Sequence, residues 1–139
     1  MSKILFVCIE NSNRSQMAEA FVKMFGKDNV LASSAGSKPS GKINPKAIEA
    51  MKKIGYDLTK HHSKSVDDFR NEKFDYAITM GCGDECPFIS ATHRIDWNIP
   101  DPKNMEMKEF LQVRNVIGEK VNELLSEILH ESNAHEIYN

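Results

Sequence analysis

Cys8 and Arg14 have the residue types and spacing of a nucleophile beside an anion-binding side chain. Residues 8–15 read CIENSNRS, between an apolar run and a polar stretch that can begin a helix. A loop in this position turns successive backbone N–H groups inward, and the helix N terminus adds partial positive charge. The arginine fork can hold two oxygens of a tetrahedral anion. The pattern predicts a Cys8 thiolate that faces a bound oxyanion as a nucleophile.

The opposing interpretation makes Cys8 a small core residue and Arg14 a surface charge. A Cys-x5-Arg spacing is a weak signal by itself, since it also arises by chance in a chain with three cysteines. The apolar run before it and the helix-capping polar loop within it favour the nucleophilic site.

A second pair of cysteines, Cys82 and Cys86, follows the third apolar run of the chain. One helical turn would bring their Cα atoms to about 6 Å, inside disulfide range, whereas an extended segment would hold them about 13 Å apart. Gly81 and Gly83 permit the bending, and Pro87 would end the turn. Structural thiols, a zinc site shared with Cys8 or His93, and a redox pair independent of Cys8 are the alternatives.

The third candidate is Asp101, which precedes Pro102 and follows the fourth apolar run. Two prolines stiffen this loop and bias Asp101 to extended geometry. A carboxyl held over an anion pocket suits a general acid that protonates a leaving oxygen. The alternative is an ordinary Asp-Pro turn.

Four short β-forming runs alternate with helical patterns along the chain, at residues 3–9, 30–34, 74–80 and 92–99. Helices are predicted from Asn13 to Gly26 and from Asn44 to Gly55, with a short one at 65–71 and a long amphipathic one over 110–128. The tail after Glu131 has no apolar period and is expected to fray.

This alternation predicts an α/β fold with a four-stranded parallel sheet in the order 2-1-3-4 and helices on both faces. Residues 1–139 are expected to form one domain, which acts as a monomer. Ligands of such sheets bind beyond the carboxyl ends of the strands. Three of those ends carry Cys8, Cys82 and Asp101, so one shared site is expected there.

Composition excludes several classes of protein. Leu, Ile, Val and Phe make up 33 of the 139 residues, above the range of disordered chains. A net charge of −2 argues against nucleic-acid binding. No apolar run is long enough to span a membrane, and the N terminus lacks a cleavage site, so a cytoplasmic protein is expected. Three cysteines in a reducing compartment are expected to be reactive.

Taken together, these motifs resemble the low-molecular-weight protein tyrosine phosphatases, and more closely the arsenate reductases that share their fold. The resemblance runs from about Lys3 to the final helix. The matching segments are Cys8 to Arg14, Ser15-Gln16-Met17-Ala18-Glu19-Ala20, Ser34-Ala35-Gly36, Asn44-Pro45-Lys46-Ala47 and Asp101-Pro102. The run from Arg14 to Glu19 is specific to the reductases.

The resemblance implies roles for the residues of the site. Ser15 would hydrogen-bond the Cys8 thiolate and Asn11 would hold the loop in shape. The substrate-binding residues would be Asn11, Ser12, Asn13, Arg14 and Ser15. Cys82 and Cys86 would relay oxidation out of the pocket to a thioredoxin-like reductant. No bound cofactor and no metal are implied.

Three positions depart from the pattern of the resembled families. Many relatives carry glycine where this chain has Glu10, which we expect to point away from the pocket. Tyrosine phosphatases place aromatic residues after the Asp-Pro pair, but here Lys103 and Asn104 follow, which favours a small inorganic anion. Some relatives have an acidic residue nearby that helps to hold a monovalent cation against the loop, and Lys64 could supply that positive charge itself; the alternative is a solvated lysine.

The sequence therefore predicts an arsenate reductase with a three-cysteine relay. One alternative is a phosphatase for phosphotyrosine or small phosphoesters, which needs only Cys8, Arg14 and Asp101. Another is a non-enzymatic oxyanion or redox sensor that uses the same loop without turnover.

Overall fold

The structure is a computed structural model. It describes residues 1–26, 29–81 and 89–138, and for residues 131–138 it describes the backbone alone. Its strands and helices are β1 (Ser2–Cys8), α1 (Arg14–Phe25), β2 (Val30–Gly36), α2 (Pro45–Lys52), β3 (Phe74–Thr79), β4 (Ala91–Asp96) and α3 (Met107–Tyr138). Two short 3₁₀ helices, Leu58–Lys60 and Val66–Phe69, connect α2 to β3.

The four strands form one parallel sheet in the order β2-β1-β3-β4, which confirms the predicted topology. β1 lies in the interior of the sheet, so residues Ile4 to Cys8 are buried on both faces. Cys8 is paired in register with Gly36 of β2. The carboxyl ends of the strands therefore present Cys8, Gly36 and the residues after Thr79 at the same edge.

The two faces of the sheet are covered unequally. On one face α1, α2 and α3 share a hydrophobic cluster with alternate sheet residues such as Ile4, Phe6 and Ile78. On the other face the described part of the chain forms a smaller cluster, in which Val66 and Phe69 of the second 3₁₀ helix pack on Leu5, Val7 and Ala77. Within the described residues, the helical segment that packs on this second face is this short 3₁₀ helix.

The helix ends follow local capping chemistry, with two exceptions. α2 begins as predicted, because the Asn44 side chain accepts a hydrogen bond from the Lys46 N–H at 2.9 Å and Pro45 occupies the first helical position. Asn13 holds the cap position of α1, but its side chain makes no capping hydrogen bond. The prediction of a frayed tail is wrong, since α3 continues past Glu131 to Tyr138. No glycine or proline follows Gly118, so nothing in the sequence interrupts the backbone hydrogen bonds.

Candidate active site

The loop between β1 and α1 is held close against the end of β2. Backbone N–H groups of Ser37, Lys38 and Ser40 donate to the carbonyls of residues 8, 9 and 10 at 3.2, 2.8 and 3.0 Å. Gly36 lies so near that an added Cβ would be 2.5 Å from the Ile9 carbonyl oxygen. Asn11 has a φ of 51°, a left-handed conformation that asparagine tolerates better than most residues. The loop is therefore curled by contacts from β2 rather than by glycines of its own.

Six residues from two loops line one small cavity above Cys8. They are Cys8, Glu10, Ser12, Asn13, Arg14 and Asp101, and the cavity measures about 10 Å³. That volume is about enough for a single water molecule. The structure thus brings together the predicted nucleophile, the predicted anion-binding arginine and the predicted acid, which lie 93 residues apart along the chain from Cys8 to Asp101.

Cys8 is a free and buried thiol at the floor of this cavity. Its Sγ lies 2.8 Å from the Ser15 Oγ, and Asn11 Nδ2 donates to that same oxygen at 2.8 Å. Asn11 and Ser15 are fully buried behind the loop and are not among the residues that line the cavity. The structure places Ser15 against the sulfur and Asn11 against Ser15, so neither of these two predicted binding residues is in the cavity lining.

Arg14 connects the loop to the ends of β3 and β4. Its guanidinium is 5% exposed and donates from Nη1 to the Ile99 carbonyl at 2.9 Å. Gly81, with a φ of 79°, packs so closely that a Cβ there would lie 2.6 Å from Nη1. Nη2 is 4.0 Å from Asp101 Oδ2. Arg14 is thus held at the cavity by contacts from two strand ends.

The loop that carries Asp101 is tied to the anion loop by an ion pair. Asp101 Oδ1 accepts a hydrogen bond from the Lys103 N–H at 3.0 Å, and the Lys103 ammonium lies 3.1 Å from Glu10 Oε1. Glu10 therefore faces Lys103 at the edge of the cavity. The Asp101 side chain is 46% exposed, so the solvent reaches the predicted acid.

Asn13 carries a buried acceptor beside the cavity. Its Oδ1 has no hydrogen-bond partner within the described part of the chain, and the residue is 5% exposed. The sequence predicts Asn13 to cap the helix and to bind substrate; the capping hydrogen bond is not made, and the residue does line the cavity.

A buried polar cluster that sequence reasoning missed lies behind the anion loop. Glu19 of α1 accepts hydrogen bonds from Lys23 and Ser34 at 2.6 Å each. Burial alone would raise the pKa of Glu19, but these hydrogen bonds and nearby positive charge hold it below its ordinary value. The Lys64 ammonium lies 3.7 Å from Glu19, so the positive charge considered from sequence does face this buried carboxylate.

His61 belongs to the same cluster. Its side chain is 1% exposed, and Nδ1 lies 3.4 Å from Glu19 Oε2. Burial lowers the pKa of His61 to about 4, so the ring is neutral at neutral pH. Burial and the nearby Glu19 charge raise the pKa of its neighbour Tyr56 to about 12.

Cys82 and Cys86 lie outside the described residues, as does their predicted pairing. His93, named as a zinc ligand in one alternative, stacks on Tyr76 with ring centroids 4.8 Å apart. Residues 1–26, 29–81 and 89–130 contain no group of three side chains placed to hold a metal ion. Within those same ranges no helix is apolar and long enough to cross a membrane.

Comparisons with known proteins show the family to which the chain belongs. Residues 3–134 match the family of low molecular weight phosphotyrosine protein phosphatases. The glutaredoxin arsenate reductase of Synechocystis sp. is 35% identical over 131 residues, covering 92% of this chain and 99% of the relative. A solved arsenate reductase in the phosphate binding state is 34% identical with a TM-score of 0.84, covering 92% of this chain and 99% of that one.

A second solved structure is the thioredoxin-dependent arsenate reductase of Corynebacterium glutamicum. It is 31% identical with a TM-score of 0.77, and the match covers 94% of this chain and 63% of that one. The chain belongs to the low molecular weight phosphotyrosine protein phosphatase family. Within that family, the three relatives named here are all arsenate reductases.

Proposed function

We propose that this protein reduces arsenate to arsenite with electrons from a thiol reductant. One observation carries the proposal: Cys8, Arg14 and Asp101 line a single cavity at the N terminus of α1. A thiol, a guanidinium and a carboxyl around an anion-sized loop fit a covalent reaction at a tetrahedral oxyanion. The three arsenate reductases that resemble the chain support arsenate as that anion.

The first step forms a bond between Cys8 and arsenic. Arg14 and the α1 N terminus hold the arsenate, while the Cys8 thiolate attacks As(V). One arsenic–oxygen bond breaks, and Asp101 gives its proton to the departing oxygen, which leaves as water. The product is a thiol–arsenate adduct in which arsenic is still pentavalent.

The second stage transfers two electrons from cysteine sulfur to arsenic. The Cys82 thiolate attacks Cys8 Sγ, the sulfur–arsenic bond breaks, and its electron pair leaves with arsenic as arsenite. The Cys8–Cys82 disulfide is then attacked by Cys86, which releases the Cys8 thiolate and leaves a Cys82–Cys86 disulfide. A thioredoxin or glutaredoxin dithiol reduces that pair and restores the resting enzyme.

The mouth of the cavity favours a small inorganic anion. Lys103 follows the Asp-Pro pair and is paired with Glu10 across the opening, so a charged side chain stands where an aromatic one would be needed to hold a phenol ring. Phosphate has the shape to bind, but it has no two-electron reduction by thiols comparable to that of As(V). We therefore propose that phosphate acts as a competitor and that its esters are hydrolysed slowly.

Arsenite production with purified reductants tests the proposal. One arm supplies thioredoxin, thioredoxin reductase and NADPH, and the other supplies glutaredoxin, glutathione, glutathione reductase and NADPH. We expect arsenate-dependent NADPH oxidation and stoichiometric arsenite in at least one arm. Absence of arsenite from both arms, with folded protein, would overturn the assignment.

Three cysteine variants separate the steps. Cys8→Ser should abolish arsenite formation, because no bond to arsenic can form. Cys82→Ser should stop at the adduct. Cys86→Ser should release one arsenite per enzyme and retain a Cys8–Cys82 disulfide, visible by mass spectrometry. Arsenite release that is independent of Cys82 would contradict the relay.

A phosphatase is the second candidate, because Cys8, Arg14 and Asp101 alone would suffice for a phosphocysteine mechanism. Hydrolysis of p-nitrophenyl phosphate by the Cys82→Ser/Cys86→Ser protein measures this activity separately. A phosphatase rate that exceeds arsenate reduction in the native protein would make phosphoester hydrolysis the principal reaction.

A further inference from the structure

Glu10 brings to the cavity above Cys8 an acceptor of hydrogen bonds rather than a donor. The residue lines this cavity together with Arg14 and Asp101. Its Oε1 lies 3.1 Å from the Lys103 ammonium, so the side chain is the carboxylate half of an ion pair. An ionised carboxylate can accept hydrogen bonds but cannot donate them. An anion bound above Cys8 therefore meets a negative group at one side of the cavity.

The contact with Lys103 holds Glu10 toward the loop that carries Asp101. The Lys103 backbone N–H donates to Asp101 Oδ1 at 3.0 Å, while the ammonium of the same residue reaches Glu10 Oε1. The Glu10 side chain is 32% exposed and that of Arg14 is 6% exposed, so the carboxylate lies on the solvent side of the cavity. A carboxylate has about four acceptor sites, so the ammonium leaves others for a ligand.

The two carboxyl groups of the cavity make different demands on a bound anion. In the proposed function Asp101 gives its proton to a departing oxygen, so it approaches the anion as a hydrogen-bond donor. Glu10 can approach an anion oxygen closely only where that oxygen carries a hydrogen. Without that hydrogen, two negatively charged oxygens would face each other and the anion would bind more weakly.

Asn13 adds a second acceptor to the same cavity. The residue lines the cavity and is 5% exposed, and its Oδ1 has no hydrogen-bond partner within the described part of the chain. Buried side-chain oxygens are hydrogen-bonded in the large majority of cases, and one without a partner is costly. A hydroxyl group on the bound anion is a donor that can meet this need.

We propose that Glu10 is a specificity-determining residue, which selects tetrahedral oxyanions that carry a hydroxyl group. Arsenate and phosphate carry at least one O–H at neutral pH, whereas sulfate carries none. Arsenate or phosphate can donate to Glu10 or Asn13 while its other oxygens bind Arg14. Sulfate would place a bare oxygen against the carboxylate. The inference rests on the anion site of the proposed function and names the chemical feature by which that site recognises its substrate.

Charge repulsion and hydrogen bonding predict different effects of Glu10. A carboxylate that acted by its charge alone would weaken the binding of all dianions by the same factor. A carboxylate that accepts a hydrogen bond weakens the binding of sulfate and supports that of phosphate. The ratio of the two affinities therefore separates the two roles.

The test compares phosphate with sulfate at a pH above the second ionisation of phosphate. Both anions are then dianions of similar size, and they differ by one O–H. The protein is the Cys82→Ser/Cys86→Ser variant, in which Cys8 is the only cysteine that remains. The readout is the concentration of each anion that halves the rate of Cys8 alkylation by iodoacetamide. The sulfate concentration divided by the phosphate concentration gives the selectivity ratio.

This parent protein should need about a hundredfold more sulfate than phosphate, because a hydrogen bond to a charged group is gained with one anion and lost with the other. Glu10→Gln should lower the selectivity ratio about tenfold, since the Gln amide can donate to sulfate while its carbonyl still accepts from phosphate. Glu72→Gln is the matched control. It removes the same charge from an exposed ion pair with Lys3, 3.3 Å long and at the opposite end of β1, and should leave the ratio unchanged.

Phosphate that protects Cys8 no better than sulfate would overturn the inference, and this measurement needs no substitution at Glu10. A Glu10→Gln protein that binds both anions more tightly by the same factor would also overturn it, because charge repulsion alone then accounts for Glu10. The assay contains neither arsenate nor a reductant. A protein that prefers phosphate to sulfate but reduces no arsenate would refute the proposed function alone, whereas an arsenate reductase without this preference would refute the inference alone.

Discussion

The two sides of Cys8 differ in exposure, in charge and in how fully their hydrogen bonds are made. Behind the sulfur lie the buried side chains of Asn11, Ser15, Gln16 and His61, which we call the rear network, and each described donor there finds an acceptor within 3.1 Å. In front lie Glu10, Arg14, Asp101 and Lys103, which we call the mouth. Solvent reaches the side chains of Glu10, Asp101 and Lys103, and Arg14 Nη2 lies 4.0 Å from Asp101 Oδ2.

This difference separates two tasks of a nucleophilic site. A network that sets the state of the sulfur gains from being closed and dry, because a low local dielectric strengthens aligned hydrogen bonds. A mouth that must admit and release an anion needs contacts that can be exchanged, and solvent-exposed ion pairs are weak enough for that. We therefore expect substitutions in the mouth to act on substrate binding and turnover, and those behind the sulfur to act on thiolate chemistry and stability.

The largest effect on the mouth should come from Arg14→Lys. Lysine keeps the charge but lacks the fork that can hold two anion oxygens while bonded to the Ile99 carbonyl. We expect kcat/KM for arsenate to fall about a hundredfold or more, as for other preorganised anion contacts. Steady-state kinetics with the reductant held in excess measures it. A loss below about threefold, on the scale of an exposed ion pair, would show that Arg14 does not bind the anion.

Gly81→Ala should act through the same arginine. Alanine would be strained at a φ of 79° and would place Cβ 2.6 Å from Arg14 Nη1. We expect about a tenfold loss of kcat/KM and about 1–2 kcal/mol lower stability. Gly41→Ala is the matched control, since Gly41 has a φ of 82° with no atom within 4 Å of the added Cβ. Equal kinetic losses in both variants would mean that strain, and not contact with Arg14, is the cause.

Acid should lower the free energy of unfolding of the protein through the titratable groups behind the sulfur. Burial lowers the pKa of His61 from 6.5 to about 4, so the unfolded chain binds a proton there before the folded protein does. The neutral, buried His61 side chain therefore makes its full contribution to the free energy of unfolding above pH 6.5. About 1–3 kcal/mol of that free energy is lost as the pH falls toward 4. Glu19, whose pKa is also lowered, adds to this loss at the acid end. Urea unfolding at several pH values measures it, and His61→Asn should flatten the slope between pH 4 and 6.5.

The smallest effect should come from the ion pair across the mouth. Lys103→Met leaves the Glu10 carboxylate unpaired beside the anion, so the KM for arsenate should rise about threefold. Glu10→Gln frees the Lys103 ammonium and should leave KM equal or slightly lower. The double variant should return close to the parent value. Identical KM values in all four proteins would show that this pair has no influence on the anion.

The parts of the site that could be predicted from sequence are those that depend on local signals. Cys8 and Arg14 follow from a strand end and a helix start within one short segment, and the parallel sheet places Asp101 at the same edge. The roles of Ser15 and Asn11 follow from the family resemblance, but the contact behind them could not be predicted, because His61 meets Gln16 only after the chain has folded back over 45 residues. Nothing in the residues around His61 distinguishes it from a packing histidine.

The first residues of α1 and α2 also show that local sequence signals fail where contacts from distant residues decide the backbone conformation. Asn44 and Pro45 predict the start of α2 correctly, since both signals act on adjacent backbone groups. Asn13 carries an equally good capping side chain, but the anion loop imposes a φ of −127° and a ψ of −83° there, and the capping hydrogen bond is not made. Tertiary constraint overrides the local preference at the position where the site is built.

The contacts that curl the anion loop also set when the nucleophile can become reactive during synthesis. The Asn11 side chain accepts from the Lys64 N–H, 53 residues further along, and Arg14 is held by the Ile99 carbonyl, 85 residues further along. A nascent chain that ends before these residues cannot make either contact. The anion loop can therefore take its folded shape only after Ile99 has left the ribosome, so the site is assembled late in synthesis although Cys8 and Arg14 are among the first residues made.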